Sequence, residues 1–310
     1  MGTVARAESA RLTAAVHRRT LWHELWRHRA EYLFISPFFV KFAIFSAFPL
    51  GWAFLLSFQR WSGFGEARFV GLDNYAAIVR EDIITKALVN TLIFTAVLVP
   101  TGVLLALFFA VLLNIRDLGG RGVFRTIYFL PFVTSTVIVG ITFRMLLDDT
   151  FGWANVIVTG VGLDPISWLR TPVWARVSII LLTHWQGLGY NILIMLGGLQ
   201  SIPREVYEAA EIDGASPVQI FWRVTMPLMR PVMLFVTLVG TIGVLNLFNQ
   251  PFILTNGGPD AATTTLTFRL YEIAFRTTRY GDAAALGFLI GALVILVTML
   301  QLRVLREWRQ

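Results

Sequence analysis

The chain has 310 residues, 56% of them hydrophobic and only 15% charged, with a mean hydropathy of +0.66. A water-soluble protein of this length carries far more charge, so an ordinary soluble globule is excluded. The formal charge of +7 sits mostly on arginines beside apolar blocks, which points to membrane orientation and away from nucleic acid; the absence of cysteine removes disulfides and thiolate metal sites.

The first 31 residues are basic and partly amphipathic: Arg18, Arg19, Arg27 and Arg29 alternate with Leu21, Trp22, Leu25 and Trp26. They read either as an interfacial helix or as a disordered basic tail. The apolar run that follows is too long for a signal-peptide core, and no Ala-x-Ala site closes it. Six apolar blocks, at roughly 32–57, 88–113, 123–147, 173–199, 231–254 and 283–304, are long enough to span a bilayer core of about 30 Å. The sequence thus predicts an all-α membrane protein of six transmembrane helices, with a six-span domain over 32–306 after a cytosolic segment over 1–31. Six crossings put both termini on one side, and the larger share of the arginines falls on that side if it is the cytosol.

Lys41, in the first span, either lines water or reaches the interface on its long stem. The two lysines, Lys41 and Lys86, do not follow glycine, so no phosphate-binding loop is present and any such energy source must sit on another polypeptide. The segments over 58–87, 148–172 and 255–282 read either as a cap or landing surface, or as plain connections. In the third span Thr134, Ser135 and Thr136 follow Pro131 and are placed to satisfy backbone groups freed by the proline. Arg144 is expected to snorkel. The fourth span carries Trp185, Gln186, Tyr190 and Asn191, a polar and aromatic set that suits either a solute pathway or helix packing. Gly187 and Gly189 beside them favour close helix approach, and His184 stands alone, which gives no metal set.

Residues 200–230 form a polar knob between apolar blocks. Arg204 and Glu208 are four apart and can pair across a turn. Gly214 can end a first short helix in the left-handed conformation, Ser216 can cap a second, and Pro217 can start it. Read bare, this is a well-capped amphipathic hairpin that rests on headgroups or docks a partner. In the fifth span Asn246, Asn249 and Gln250 fall at i, i+3 and i+4, on one helical face. With Phe248 and Phe252 beside them they suit a neutral sugar, since amides take hydroxyls and aromatic faces take C–H surface. Gly287 and Gly291 in the last span suggest close helix contact.

The knob resembles a known family. Glu208-Ala209-Ala210, then Gly214, then Val224-Thr225-Met226-Pro227 keep the Glu-Ala-Ala…Gly…Ile-x-Leu-Pro spacing of permease subunits in binding-protein-dependent ABC importers. Phe69-Val70-Gly71-Leu72-Asp73-Asn74-Tyr75, Tyr128-Phe129-Leu130-Pro131, Gly197-Gly198-Leu199-Gln200-Ser201-Ile202-Pro203 and Leu254-Thr255-Asn256-Gly257-Gly258-Pro259 are similar to segments of the maltose and glycerol-3-phosphate type of permease. The C-terminal Arg306-Glu307-Trp308-Arg309-Gln310 lacks the small-residue tail typical of the second permease in such systems, which favours the first.

The resemblance implies a bacterial inner-membrane subunit that forms a sugar, oligosaccharide or polyol pathway by alternating access. It implies a homologous second permease and two cytosolic ATPase subunits that carry ATP and Mg. It also implies an extracytoplasmic solute-binding protein and surrounding lipid, with no cofactor, metal or catalytic residue on this chain. On it, Glu208, Ala209, Ala210, Asp213, Gly214, Ala215, Ser216 and Pro217 form a coupling hairpin that docks an ATPase. The rival is a secondary transporter without an ATPase, which calls for intramembrane carboxylates for proton coupling or for broken spans that hold sodium; the spans carry no central Asp or Glu, which counts against proton coupling. An enzyme is disfavoured: Asp148-Asp149 is a lone acidic pair without a nearby histidine.

Overall fold

A computed structural model describes residues 26–115 and 119–307. The expectation for the N-terminal segment therefore lies, up to residue 25, outside the described residues, as do residues 308–310. The chain divides into two units, Met1–Leu55 and Leu56–Gln310.

In the first unit, α1 (Arg29–Phe42) passes through a π-helical turn (Ala43–Ala47) into α2 (Phe48–Leu56). Together they make a helix long and apolar enough to cross a bilayer, with no buried residue. Lys41 lies exposed in the last turn of α1.

The second unit begins with a small ribbon, β1 (Gln59–Arg60) antiparallel to β2 (Arg68–Phe69), in register Gln59↔Phe69. There follow α3 (Asp73–Arg80), α4 (Asp82–Leu113), α5 (Arg121–Val133), α6 (Thr136–Leu146), α7 (Trp153–Gly160) and α8 (Pro172–Gln200). Then come α9 (Arg204–Ile212), α10 (Pro217–Ile220), α11 (Met226–Leu245), α12 (Asn249–Leu254), α13 (Leu266–Tyr271) and α14 (Tyr280–Glu307).

The core forms where α4 and α8 lie against each other and α11 closes over both. Ala106, Leu107 and Ala110 of α4 pack on Ile192, Met195 and Leu196 of α8 and on Met229 and Val236 of α11. Small residues let the backbones approach, as expected where lipid supplies no hydrophobic drive between helices. A Cβ at Gly198 would stand 2.8 Å from Val232, and one at Gly189 would overlap the Tyr128 carbonyl of α5. Gly291 has nothing within 4 Å of such a Cβ, and Gly287 meets only Leu270, so the close contact expected of that pair is not made among the described residues.

The segment read as a crossing over 123–147 is broken within its length: α5 and α6 meet at a bend of 98°. Pro131 removes a donor, Thr134 is extended (φ −76°, ψ 144°), and its hydroxyl donates back to the Leu130 carbonyl at 2.8 Å. The second helix of the knob is not a separate hairpin arm. α10 runs through a π-helical turn (Phe221–Thr225) into α11, giving a 29-residue helix from Pro217 to Leu245. At 1.5 Å per residue that is about 43 Å, so one rod joins the knob to the middle of the bundle. It stops at Leu245, short of the expected 254, and α12 resumes after a break at Asn246–Phe248.

The connecting segments are folded. Asn74 is buried and donates to the Ser57 and Gln59 carbonyls, both at 2.9 Å, tying α3 to the ribbon. Asn90 of α4, also buried, donates to the Ala261 and Thr264 carbonyls and accepts from Arg176 of α8 at 3.0 Å. Glu81 accepts from Arg269 and Arg279, both at 2.9 Å, and Arg269, Arg276 and Glu272 extend the ion pairs. These bonds fix the 255–282 segment onto α4 and α14, which excludes a slack connection there.

Candidate functional site

Two places gather the residues singled out in the sequence: the knob at one end of the second unit, and a cavity at the helix breaks.

In the knob, α9 carries the Arg204–Glu208 ion pair on its exposed side. Its end is a Schellman closure: the Ala215 amide donates to the Ala210 carbonyl at 3.0 Å while Gly214 sits at φ +77°. Ser216 then makes a full capping box, its hydroxyl taking the Gln219 amide while the Gln219 side chain takes the Ser216 amide at 2.8 Å. The amides of Asp213, Gly214, Ala215 and Ser216 all find partners within the knob, which makes the turn stiff. Ile212, Val218 and Trp222 are nevertheless exposed, an apolar surface left for something else to cover. Behind the knob a cleft of about 640 Å³ opens between Tyr207, Glu211, Ala215 and Phe221 on one side and Asn114 and Leu199, at the ends of α4 and α8, on the other.

The second place is a cavity of about 410 Å³ bounded by α4, α5, α8, α11 and the break before α12. Tyr190, Asn191, Asn246, Asn249 and Gln250 all line it. They do not share one helical face, as their spacing suggested. Asn246 is the C-cap of α11, its amide donating to the Ile242 carbonyl at 2.8 Å, and Asn249 is the first residue of α12. The broken helix brings them to the cavity from opposite sides of the gap. Phe132 and Tyr190 stack at 4.9 Å and Phe248 also lines the space, whereas Phe252 packs away against Phe268 and Tyr271. Amides beside flat aromatic faces can bind hydroxylated rings by hydrogen bonds and C–H contact, without charge.

Trp185 and Gln186 are not on that lining. Trp185 contacts Phe143 of α6. Gln186 is buried; its amide donates to Thr136 at 2.8 Å and its carbonyl oxygen accepts from Gln250 at 3.5 Å. It thereby links the residue just after one helix break to a residue just after the other.

His184 lines the cavity and lies 2.8 Å from Thr101. The Thr101 hydroxyl also lies in donating distance of the Val97 carbonyl, which leaves its oxygen free to accept from the ring. Among the described residues, no group of three or more His, Cys, Asp or Glu side chains is placed to hold a metal ion. The sequence reading passed over Asn90, Arg176 and Glu81. An amide inside an apolar span was the available signal for Asn90; nothing local marked the other two.

Residues 75–310 match the family described as binding-protein-dependent transport system inner membrane component. The chain belongs to this family. The inner membrane component is 35% identical over 290 residues to the arabinooligosaccharides transport system permease protein AraP of Bacillus subtilis (strain 168), covering 91% of each chain. It is 35% identical to the lactose transport system permease protein LacF of Rhizobium radiobacter, covering 89% of this chain and 94% of that one. It is 34% identical to the trehalose/maltose transport system permease protein MalF of Thermococcus litoralis, covering 88% and 92%. Among solved structures, a bacterial ABC transporter involved in import of the acidic polysaccharide alginate aligns with TM-score 0.82 at 24% identity, over 93% of this chain and 99% of that one. At that identity the likeness establishes the fold: a multi-pass helical membrane component.

Proposed function

We propose that this chain forms one half of the translocation pathway of an ATP-driven importer for a sugar, oligosaccharide or polyol-like solute. The named relatives are permeases for arabinooligosaccharides, lactose and trehalose or maltose, which sets the solute class. A solved relative of this fold is described in complex with a periplasmic protein holding an alginate pentasaccharide, in keeping with delivery by an external solute-binding protein. A homologous second permease completes the pathway. Two cytosolic ATPase subunits carry ATP and Mg, and one of them receives the knob through Glu208–Pro217. Both termini and the knob lie in the cytosol, as the arginine distribution favours.

The observation that carries this reading is the continuous helix from the Ser216 cap, through the π-helical turn at Phe221–Thr225, to Leu245. One end stands in the stiff knob; the other ends at the break beside Asn246 and Asn249. A displacement of the knob is thereby delivered to the cavity as a rigid-body motion. A flexible linker at either end would dissipate it. In the ATP-driven cycle, closure of the ATPases shifts the knob and the cavity opens in turn to each side.

The test is extraction of the tagged chain in mild detergent with its operon partners co-expressed. The proposal expects an ATPase subunit to co-purify, and ATP hydrolysis to rise with solute-loaded binding protein. Recovery of the chain without any ATPase, with solute uptake intact, defeats it.

A further inference from the structure

α7 lies in the connection between the bent α5–α6 pair and α8, and it is held rigidly with its apolar side turned outward. Asn155 is its buried pin. The side-chain oxygen accepts from the Ile166 amide and the Trp168 indole, both at 3.0 Å, and the amide donates to the Ile166 carbonyl at 3.0 Å and to the Asp149 carbonyl at 3.3 Å. Before the helix, one Asp148 carboxylate oxygen accepts from the Thr150 and Phe151 amides, and Gly152 sits where a Cβ would overlap the Asp148 carbonyl. Polar groups on its inner side thus tie the segment down at both ends.

Trp153, Val156 and Ile157 lie opposite Asn155 at helical spacing, flanked by Phe151, Val161 and Leu163. All six are between 55% and 71% exposed. No charged residue stands between Asp149 and Asp164. An apolar face this continuous is not left to water on a rigid element.

We infer that α7 lies on the bilayer, its Trp153–Ile157 face sunk into the boundary between headgroups and acyl chains. Position and continuity select lipid as the occupant. α6, the half of the bent pair just before it in the chain, exposes Val137, Ile138, Ile141 and Met145, and Phe151 and Trp153, which follow within eight residues of Met145, are exposed as well. The charges mark the water line: Asp149 pairs with Arg170 at 3.1 Å, and Arg170 is exposed. Tryptophan at the junction is the residue type that prefers the interface. A binding protein that must leave on every cycle is a poor fit for a face without a polar group. The consequence is mechanical: α7 anchors the end of α6, and α6 packs on α12, where Ile253 closes on Gly140.

The chain contains no cysteine, so single-cysteine variants report without background. Ile157→Cys and Val161→Cys, each labelled with bimane, are compared with Asp164→Cys in the full chain with its associated subunits, reconstituted in phosphatidylcholine vesicles. Quenching is read with 5-doxyl lipid, 12-doxyl lipid and aqueous iodide. The proposal expects 5-doxyl to quench positions 157 and 161 at least twofold more than position 164, more than 12-doxyl does, with iodide showing the reverse order. Iodide quenching at 157 equal to that at 164 means the face is in water and overturns it. Protection of 157 from both lipid and iodide means a protein covers the face and overturns it equally. Neither readout depends on the solute or on ATP.

Discussion

The Glu81 carboxylate accepts a hydrogen bond from Nη1 of Arg279 at 2.9 Å, although the two residues stand 198 positions apart. Arg269 completes the clasp at 2.9 Å on the other carboxylate oxygen. Burial pushes the Glu81 carboxyl up, but the hydrogen bonds from Arg269 and Arg279 outweigh it and hold the group below its ordinary value. On Arg279, burial pulls the guanidinium down, and Glu81 and Asp282 more than offset it. A carboxyl depressed in the folded state stabilises fully above its unfolded value, about 4.3, and that stability is lost as pH falls through the folded value. Glu81→Gln should cost about 1.5–3 kcal/mol at neutral pH, the range for hydrogen bonds to charged groups. It should also flatten the fall in thermal stability below about pH 4. Melting curves in detergent from pH 3 to 7 check this; an unchanged acid slope in the variant would remove the clasp from the stability of the fold.

Gly214 offers a cleaner test of the knob than its exposed position suggests. Its φ is +77°, yet a Cβ there would meet nothing within 4 Å. Any cost of substitution is therefore backbone strain, about 1–2 kcal/mol for an L-residue in the left-handed region, and not crowding. Gly214→Val should weaken recovery of the ATPase and lower uptake several-fold, while Gly214→Asn, which tolerates that region, should retain most of both. Equal behaviour of Val and Asn would point to the missing side chain, not the turn.

What the sequence made legible was local. The Gly214 closure, the Ser216 cap and the Arg204–Glu208 pair rest on residues a few positions apart, and each is present in the structure. What it hid was tertiary. Asn246, Asn249 and Gln250 carry helical spacing, and the break between them is held by contacts from elsewhere: the buried Thr265 hydroxyl donates to the Leu247 carbonyl at 2.5 Å across the gap. Pro131 announced a disturbed third span, but the 98° size of the bend is not encoded in a lone proline. The Glu81 clasp could not be read at all, since its members appear in sequence as scattered surface charges.

The cavity and the Gln186 link predict separable defects. Asn249 lines the cavity; Gln186 is buried behind it and joins Thr136 to Gln250. Removing one neutral hydrogen-bonding group from a binding site costs about 1.4 kcal/mol, a tenfold change. Asn249→Ala should thus raise the KM for uptake about tenfold with little change in maximal rate. Gln186→Leu should do the opposite, lowering the maximal rate with KM nearly kept, because it uncouples the two helix breaks without touching the solute. Initial-rate uptake in vesicles at varied solute distinguishes them; a matched rise in KM for both would make Gln186 a binding residue after all.

Gly187 and Gly189 stand two positions apart on α8 and should respond in opposite ways. A Cβ at Gly189 would overlap the Tyr128 carbonyl and crowd the Phe129 backbone, whereas a Cβ at Gly187 would have nothing within 4 Å. The partner at Gly189 is main chain, which cannot rotate aside, so α5 and α8 must separate. Overpacking of that kind costs typically about 1–3 kcal/mol. Gly189→Ala should therefore lower the melting temperature in detergent and reduce uptake, while Gly187→Ala should be neutral or slightly stabilising, because alanine is the better helix former by about 1 kcal/mol. A Gly189→Ala protein as stable as its parent would mean that α5 and α8 do not approach as closely in the membrane as described here.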